Sequence, residues 1–431
     1  MPYHYLRLSR TCYLWPKEDS LAFEEFISEI RRKQTQRMEW DPELTGASNV
    51  AARLSLKEKL YFLAKTLTFT LPCILWNISY DLTFKPREVF SRPFRMTALK
   101  CALQATKLTL REQRAIAKPT GVIVSKYCAA KGISHEHVLL TNDPEDGNNT
   151  GSDIGEEYQL RPALLHFVGC SPIAKTKGKK VFIYFHGGGY TMPLAAGQLR
   201  FAERAAQTAD ADLVVLEYTL IPQLKYPGQL AQGAAAIRYL LKSRDASDII
   251  IAGDSAGANM CLSLLAHLRE PHPLVEPIFP EKTPSQKLRG ALCISPRCAN
   301  SNKAASFTYN DPKDIISGRS MDSIVDKWGT EMDEVWAAPL HGGKEFWKDI
   351  FAERMLLAGG EDEVYVDDIK EFAALVGAKD VAGADSSEQP NAPYEVVICP
   401  GEFHVQCVLD VALGCEKGLM LNTVLAWLKT I

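Results

Sequence analysis

The stretch IIIAGDSAGANMCLSLLAHL, residues 249 to 268, joins a buried strand directly to a helix with an apolar face. Between them lies the pentapeptide GDSAG, residues 253 to 257. Glycine at both ends of a sharp strand-to-helix turn lets neighbouring backbone segments approach closely while the central residue takes strained angles. The turn therefore predicts a nucleophile at Ser255, beside the positive end of a helix, with the Ala256 N–H directed at a developing oxyanion.

A second glycine-rich turn, VFIYFHGGGY at residues 181 to 190, follows another predicted strand. Three consecutive glycines allow the N–H groups of Gly188 and Gly189 to converge on one point without obstruction by a Cβ atom. His186 and Gly187 are predicted to support this loop, His186 by hydrogen bonding rather than by proton transfer. A phosphate-binding loop would need a lysine after the glycines, and YTMPLA has none. The pattern therefore favours an oxyanion hole.

Strand-like apolar runs alternate with helical patterns from about residue 137 onward. Several runs are continuous in Val, Ile and Leu, which is typical of strands covered on both faces. The predicted helices occupy residues 197–208, 228–243, 257–269, 365–377 and 412–429. This alternation predicts an α/β fold with a mostly parallel, doubly wound sheet.

Two regions depart from the alternation. Residues 1–130 are mostly helical in pattern and contain no repeated βα unit, and residues 297–347 interrupt the strand and helix order. We interpret the first region as a largely helical cap over a catalytic domain at residues 131–431. The second is a candidate insertion that adds to the cap.

The two glycine-rich turns together resemble a known family. HGGG followed about seventy residues later by GDSAG resembles the hormone-sensitive-lipase-like branch of the α/β-hydrolase family, and the sequence is similar in style to steryl-acetate-hydrolase-like esterases of filamentous fungi. The branch usually carries a YRLAPE…P stretch between the motifs. This chain has YTLIPQLKYP at residues 218 to 227, which keeps the tyrosine, leucine and both prolines. The resemblance covers about residues 135–431 and implies an α/β-hydrolase fold with a helical cap.

A serine nucleophile requires a general base within hydrogen-bond reach, and histidine suits neutral pH. His404 follows the last predicted strand and precedes the C-terminal helix. The resemblance implies a base at this point, in a G-x-x-H pattern that matches Gly401 to His404. With the order nucleophile, acid, base, the acid is expected in the loop LAGGEDEVYVDD, residues 357 to 368.

This loop contains five carboxylates. Asp367 and Asp368 are predicted to start a helix, with Asp368 and Glu371 as a capping box. The resemblance implies an acid four positions before the acid that starts the helix, which selects Glu363 when counted from Asp367. Glu replaces the commoner Asp at this position, and Asp362 stays open as the alternative acid.

Composition and charge argue against several other functional classes. The net charge is -3, so no overall basic field indicates nucleic-acid binding. The 11 cysteines are scattered and lack CxxC spacing, so neither a disulfide framework nor a zinc site is expected. A serine mechanism needs no metal or organic cofactor. The N-terminus lacks the apolar core of a secretory signal, which predicts a cytoplasmic protein.

The most apolar part of the N-terminal region is LYFLAKTLTFTLPCILWNIS, residues 60 to 79. Lys65, Pro72 and Asn77 make it too short and too polar for a membrane span. A buried or substrate-facing helix is the favoured interpretation. Peripheral contact with an intracellular membrane, through side chains such as Trp76, stays open.

These residues predict a serine hydrolase that cleaves a carboxylic ester of a hydrophobic small molecule through an acyl-enzyme. One alternative is that the same triad performs acyl transfer, cyclisation or elimination in a biosynthetic pathway. The other is a non-catalytic ligand receptor on a hydrolase scaffold. Receptors of that type lose a triad member, whereas Ser255, Glu363 and His404 are all present here. The oligomeric state is not predicted.

Overall fold

The computed structural model describes residues 4–8, 11–15, 54–84, 94–105, 110–141, 162–172, 178–279, 286–318, 328, 334–381 and 392–431. The strands in these ranges are β1 (His4–Leu8), β2 (Thr11–Trp15), β3 (His135–Leu140), β4 (Ala163–Val168), β5 (Lys180–Phe185), β6 (Ala211–Glu217), β7 (Ile249–Asp254), β8 (Leu288–Ile294), β9 (Ala352–Gly360), β10 (Lys379–Asp380) and β11 (Tyr394–Cys399). The α-helices are Leu56–Lys65, Leu71–Phe84, Phe94–Ala105, Leu110–Ile116, Thr120–Lys131, Ala196–Thr208, Gly228–Leu241, Ala256–Arg269, Ser306–Tyr309, Gly343–Phe346, Val366–Val376, Gln406–Leu413 and Leu419–Leu428. A π-helical turn occupies Thr66–Thr70, and 3₁₀ turns occupy Ala246–Asp248 and Pro339–Gly342.

Strands β3 to β11 form one sheet in the order β10-β11-β9-β8-β7-β5-β6-β4-β3. All pairings from β10 to β6 are parallel, whereas β4 runs antiparallel to both β6 and β3. The predicted α/β fold with a mostly parallel sheet is therefore confirmed. The strand that leads into GDSAG, β7, lies between β8 and β5 in the middle of the sheet.

Helices cover both faces of this sheet, and β7 shows why its sequence is apolar throughout. Ile249 and Ile251 point into one core, with the helices Gly228–Leu241 and Ala256–Arg269. Ile250 and Ala252 point into the other core, with residues of the helices Ala196–Thr208 and Leu419–Leu428. Successive strand residues alternate between faces, so a strand buried on both faces has no polar face.

The predicted helix over residues 412–429 is wrong in one respect, because the structure has two helices there. The first, Gln406–Leu413, ends at Gly414 in the left-handed conformation (φ 64°). The second begins at Leu419, where the Glu402 carboxylate accepts the N–H groups of Leu419 (2.6 Å) and Met420 (3.2 Å). A glycine C-cap and a carboxylate N-cap end one helix and start the next, although the apolar pattern continues across the break.

The described part of the N-terminal region consists of the β1–β2 hairpin and the helices between Leu56 and Lys131. The helical segment Leu56–Phe84 exposes many large apolar side chains; those of Leu75 and Trp76 are 65% and 71% exposed. None of the helices in the described ranges is long and apolar enough to cross a membrane. In the segment 297–347, Ala337 and Trp347 are buried in the same core as Ile249 and Ile251.

Candidate active site

The turn after β7 has the geometry that its sequence predicts. Ser255 has φ 54° and ψ -116°, values that an L-residue adopts only under strain. Its N–H donates to the Ile294 carbonyl at the end of β8 (2.8 Å). A Cβ atom at position 257 would overlap the backbone carbonyl of Phe185, so only glycine allows this helix to pack against β5. The turn therefore holds Ser255 at the carboxyl edge of the sheet.

The structure brings Ser255, His404 and Glu363 together. His404 Nε2 lies 2.9 Å from Ser255 Oγ, and His404 Nδ1 lies 2.8 Å from Glu363 Oε2. Both His404 and Glu363 are buried. The neighbouring Asp362 points elsewhere, and its carboxylate forms an ion pair with Lys313 at 3.4 Å. Of the two predicted acids, Glu363 is thus the one that contacts the histidine.

The electrostatics of His404 suit a general base. Burial by itself lowers the pKa of His404. The hydrogen bond and charge of Glu363, together with the charges of Asp314 and Asp254, outweigh burial, so the pKa lies above its ordinary value. The second oxygen of the same carboxylate accepts the Gly360 N–H at 2.7 Å. Because Nδ1 donates to a fixed carboxylate, Nε2 is left to accept the Ser255 proton.

The HGGG loop follows β5 and lies against the GDSAG turn. Gly188 and Gly189 both have positive φ, 112° and 61°, which turns their N–H groups away from the sheet ladder. No described residue accepts a hydrogen bond from the N–H groups of Gly188, Gly189 or Ala256. Three backbone donors without an acceptor among the described residues, beside the predicted nucleophile, match what an oxyanion hole requires.

His186 lies beneath this loop, fully buried. Its ring stacks on Tyr218 with 4.3 Å between ring centroids, and the Tyr218 hydroxyl donates to the His186 carbonyl at 2.7 Å. Tyr218 is the tyrosine of YTLIPQLKYP, so that stretch braces the loop. The contacts of His186 are those of a supporting residue, and none of them involves Ser255.

Asp254, within GDSAG itself, has a role that the motif alone did not indicate. Its carboxylate accepts the Gly187 N–H (2.9 Å) and the Gln198 side-chain amide (2.9 Å), and the Tyr184 hydroxyl also donates to it. The residue before the nucleophile therefore ties the HGGG loop to the turn. The position of Asp254 directly before Ser255 is the sequence feature that could have indicated this role.

Asp314 is a further site residue that sequence reasoning missed. Its carboxylate accepts the N–H groups of His404 (3.1 Å) and Val364 (2.8 Å), and so joins the base loop to the acid loop. Burial raises the pKa of Asp314 to about 6. Nearby, Asn310 donates to the Glu363 carbonyl at 2.9 Å. Both residues come from an irregular segment about fifty positions earlier, and no local pattern marks them.

The prediction that Asp368 forms a capping box is wrong. The helix begins at Val366, and its N-cap residue, Tyr365, makes no side-chain capping bond. Asp367 instead accepts the Ser306 N–H at 2.9 Å. Asp368 is buried with one carboxylate oxygen that has no partner among the described residues, and burial raises its pKa to about 7. Asp367 and Asp368 lie in the first turn of the helix, as predicted, but Asp368 is inside the helix and does not cap it.

With this geometry established, comparison with known proteins identifies the family. A family model described as "alpha/beta hydrolase fold" matches residues 182–395, which include the HGGG loop, the GDSAG turn and the acid loop. The chain has the α/β-hydrolase fold. The resemblance to its hormone-sensitive-lipase-like branch is confirmed by the relatives and solved structures that it matches.

Among the curated relatives, the α/β-hydrolase described here is similar to steryl acetyl hydrolase 1 of Saccharomyces cerevisiae, 29% identical over 184 residues that cover 40% of each protein. It is also similar to an acetyl-hydrolase of Streptomyces hygroscopicus, 27% identical over 46% of this chain and 62% of that one. A versiconal hemiacetal acetate esterase of Aspergillus parasiticus is 29% identical over 39% of this chain and 53% of the relative. The chain thus covers less than two thirds of the length of these relatives.

Solved structures confirm the fold. An esterase from Pseudomonas putida superposes with a TM-score of 0.54 at 19% identity, covering 76% of this chain and 89% of the esterase. An esterase from the bacterial hormone-sensitive lipase family superposes with the same TM-score at 17% identity, covering 79% and 98%. The α/β-hydrolase sheet is therefore shared over most of the described residues.

Proposed function

We propose that this chain hydrolyses a carboxylic ester through a covalent acyl-enzyme on Ser255. The observation that carries the proposal is the continuous hydrogen-bond chain from Ser255 Oγ to His404 Nε2 (2.9 Å) and from His404 Nδ1 to Glu363 Oε2 (2.8 Å). A hydroxyl, an imidazole and a buried carboxylate in this order form a charge-stabilised nucleophile and base. The names of the relatives favour esters as the substrate class.

The proposed reaction proceeds in two halves. Ser255 Oγ attacks the acyl carbonyl while His404 takes the serine proton, and the Gly188, Gly189 and Ala256 N–H groups bind the oxyanion that forms. His404 then protonates the leaving alkoxide, which gives the alcohol and an acyl-serine. In the second half, His404 removes a proton from water while the water oxygen attacks the acyl carbonyl. His404 then returns that proton to Ser255 Oγ as the carbon–oxygen bond to the serine breaks and the acid product leaves. Glu363 stabilises the imidazolium in both halves. Every step uses only residues of this chain and water.

The apolar part of the substrate is proposed from the names of relatives, because the aromatic side chains of Tyr190, Trp328 and Tyr365 are each 2% exposed and pack in the core. Two relatives carry names that specify acetates of a sterol and of a versiconal hemiacetal. We therefore propose a hydrophobic small-molecule ester as the substrate.

A fluorophosphonate probe tests the nucleophile directly. Such a probe phosphonylates an activated serine, so the wild-type chain is expected to be labelled and Ser255→Ala is not. The same pair is then assayed for hydrolysis of p-nitrophenyl acetate, which should be lost in the variant. Labelling that persists in Ser255→Ala would show that another residue is the nucleophile. A wild-type chain that is neither labelled nor active would favour a non-catalytic ligand receptor.

We also propose that the exposed apolar surface of the helical segment Leu56–Phe84 contacts a membrane surface. Trp76 and Leu75 lie in water in the isolated chain, while Lys57 and Lys59 are exposed on the same segment. Aromatic and leucine side chains with flanking lysines are the combination that binds the interface of anionic bilayers. This contact would bring the enzyme to apolar esters dissolved in the membrane.

A further inference from the structure

Arg114 comes from the N-terminal helical region and reaches the HGGG loop. It lies in the helix Leu110–Ile116, and each of its guanidinium nitrogens donates a hydrogen bond. Nε donates to the Thr191 carbonyl at 2.9 Å, one terminal nitrogen donates to the Gln223 side-chain oxygen at 3.3 Å, and the other donates to the Ile221 carbonyl. The planar guanidinium therefore joins the HGGG loop to the YTLIPQLKYP stretch.

Both carbonyls belong to residues that bind the turn of the predicted oxyanion donors. The N–H group and the hydroxyl of Thr191 donate to the Gly188 carbonyl, at 3.0 Å and 2.9 Å. The Ile221 N–H donates to the Tyr190 carbonyl at 2.9 Å. Arg114 is thus one residue away from the turn along each of two hydrogen-bonded paths.

The turn depends on contacts from this side. Gly188 and Gly189 both have positive φ, and glycine has more backbone freedom than any other residue. Their N–H groups have no acceptor among the described residues, so hydrogen bonds from those groups do not hold the turn in place. An oxyanion hole stabilises a transition state only when its donors are fixed in advance. The position of these donors therefore rests on the contacts that the carbonyl groups of the turn make.

The helix that carries Arg114 is itself anchored. Glu112 is buried, and its carboxylate forms an ion pair with Lys65 at 3.1 Å, at the end of the helix Leu56–Lys65. Buried ion pairs keep a defined geometry better than exposed ones, because fewer water molecules compete for the charges. Arg114 extends from this anchored helix, so its guanidinium is a fixed support for the HGGG loop.

We propose that Arg114 is a positioning residue for the proposed oxyanion hole. By holding the carbonyls of Thr191 and Ile221, it fixes the turn from which the two glycine N–H groups donate. The inference rests on the proposed ester hydrolysis and adds a residue of the N-terminal region to it. Hydrogen bonds from a charged donor are stronger than those between neutral groups, and a lysine has no planar fork with which to reach both carbonyls.

Substitution of Arg114 should lower kcat rather than raise KM. In Arg114→Ala, kcat for p-nitrophenyl acetate should fall about 30- to 100-fold, because the loss of one oxyanion donor costs about 100-fold or more and here the donors are displaced rather than removed. KM should stay within about threefold. Activity should fall at the same low pH as in the wild-type chain, because the hydrogen bonds of Arg114 go to the loop rather than to His404.

Arg111→Ala is the matched control. Arg111 lies in the same helix, its side chain is 62% exposed, and it pairs with Glu58 at 3.3 Å rather than with the HGGG loop. An exposed pair of this kind contributes little to stability, so Arg111→Ala should keep kcat within about twofold. Arg114→Lys keeps the charge without the fork and should have a kcat between those of Arg114→Ala and the wild-type chain.

Rescue by free guanidinium separates positioning from a purely structural role. Arg114 is partly exposed, so a small cation can enter the space that Arg114→Ala leaves. Guanidinium chloride at about 50 mM lies far below the concentrations that unfold proteins. It should raise the kcat of Arg114→Ala by at least about tenfold, because it supplies the same planar N–H donors. Sodium chloride at the same concentration should not, and guanidinium should give no gain in the wild-type chain.

The outcomes that would overturn the inference are distinguishable from failure of the proposed function. A kcat of Arg114→Ala within about threefold of the wild-type value would overturn the inference and leave ester hydrolysis standing. A lower kcat with a lower melting temperature and no response to guanidinium would show a structural residue. An equal loss in Arg111→Ala would assign the effect to the helix as a whole. A wild-type chain that does not hydrolyse the ester would overturn the proposed function, and the inference with it.

Discussion

Replacement of Glu363 by glutamine changes one atom of the triad and leaves its volume unchanged. Glu363 is fully buried, and its two oxygens have different partners: Oε1 accepts the Gly360 N–H (2.7 Å) and Oε2 accepts from His404 Nδ1 (2.8 Å). In glutamine, the Gly360 N–H recruits the amide oxygen, so the NH₂ group faces His404. An NH₂ group facing Nδ1 stabilises the tautomer that carries its proton on Nε2. That tautomer cannot accept the Ser255 proton.

The expected loss of kcat in Glu363→Gln follows from this tautomer and from the lost negative charge. A triad whose buried carboxylate becomes an amide loses about 10³- to 10⁴-fold in kcat, which corresponds to about 4 to 5.5 kcal/mol of transition-state stabilisation. The pH profile should move as well. The charge and hydrogen bond of Glu363 raise the pKa of His404 against the effect of burial, and catalysis needs neutral His404. Activity therefore falls as the pH drops through that pKa, and in Glu363→Gln this fall should occur at lower pH.

Hydrolysis of p-nitrophenyl acetate between pH 5 and pH 9 measures both effects. Asp362→Asn is the matched control, because Asp362 is adjacent, is 23% exposed and contacts Lys313 rather than His404. A surface ion pair of this kind contributes about 0 to 1 kcal/mol to stability, so the control should keep its activity within about twofold. A large loss in Asp362→Asn together with near-normal activity in Glu363→Gln would refute the assignment of the acid. If activity is lost at the same low pH in Glu363→Gln as in the wild-type chain, the electrostatic account of His404 would be refuted.

Three further predictions concern stability, the HGGG loop and the N-terminal helices. Asp368 has a folded-state pKa of about 7 against an ordinary value of 3.8, so the folded state loses stability as pH rises from about 4 to 7. Asp368→Asn should therefore stabilise the chain by up to about 4 kcal/mol at pH 8 but not at pH 4, measured by urea unfolding. Gly187→Ala would place a Cβ against the carboxylate of the GDSAG aspartate and displace the oxyanion donors, so kcat should fall about 100-fold with KM less affected. Leu75→Glu combined with Trp76→Glu should abolish cosedimentation with vesicles of phosphatidylcholine and phosphatidylserine, whereas Leu274→Glu, at an exposed leucine of the catalytic domain, should not.

Much of the active site is encoded locally, which is why sequence reasoning reached it. The turn at Ser255 needs small residues within one pentapeptide, and the HGGG loop needs consecutive glycines, so each motif carries its own geometric requirement. The two-sided burial of β7 likewise appears as an unbroken apolar run. His404 was found because it follows the last predicted strand and because the family resemblance implies a base there, in a G-x-x-H pattern that matches Gly401 to His404.

Other features depend on contacts between distant parts of the chain. The break between the helices Gln406–Leu413 and Leu419–Leu428 requires the Glu402 carboxylate at the start of the second helix, and nothing in the apolar pattern marks it. Asp314 reaches the backbone of His404 and Val364 only because an irregular segment folds back between the two loops. Such contacts are fixed by the path of the chain rather than by residue spacing.

The sequence by itself determined the α/β fold and marked Ser255, the HGGG loop and His404 as candidate site residues, since the strand and helix pattern and both glycine-rich motifs are read from residues that are neighbours in the chain. The tertiary structure alone decided which of two adjacent carboxylates contacts His404. Residues 362 and 363 both carry a carboxylate, but the loop after β9 directs Glu363 into the core and Asp362 toward Lys313.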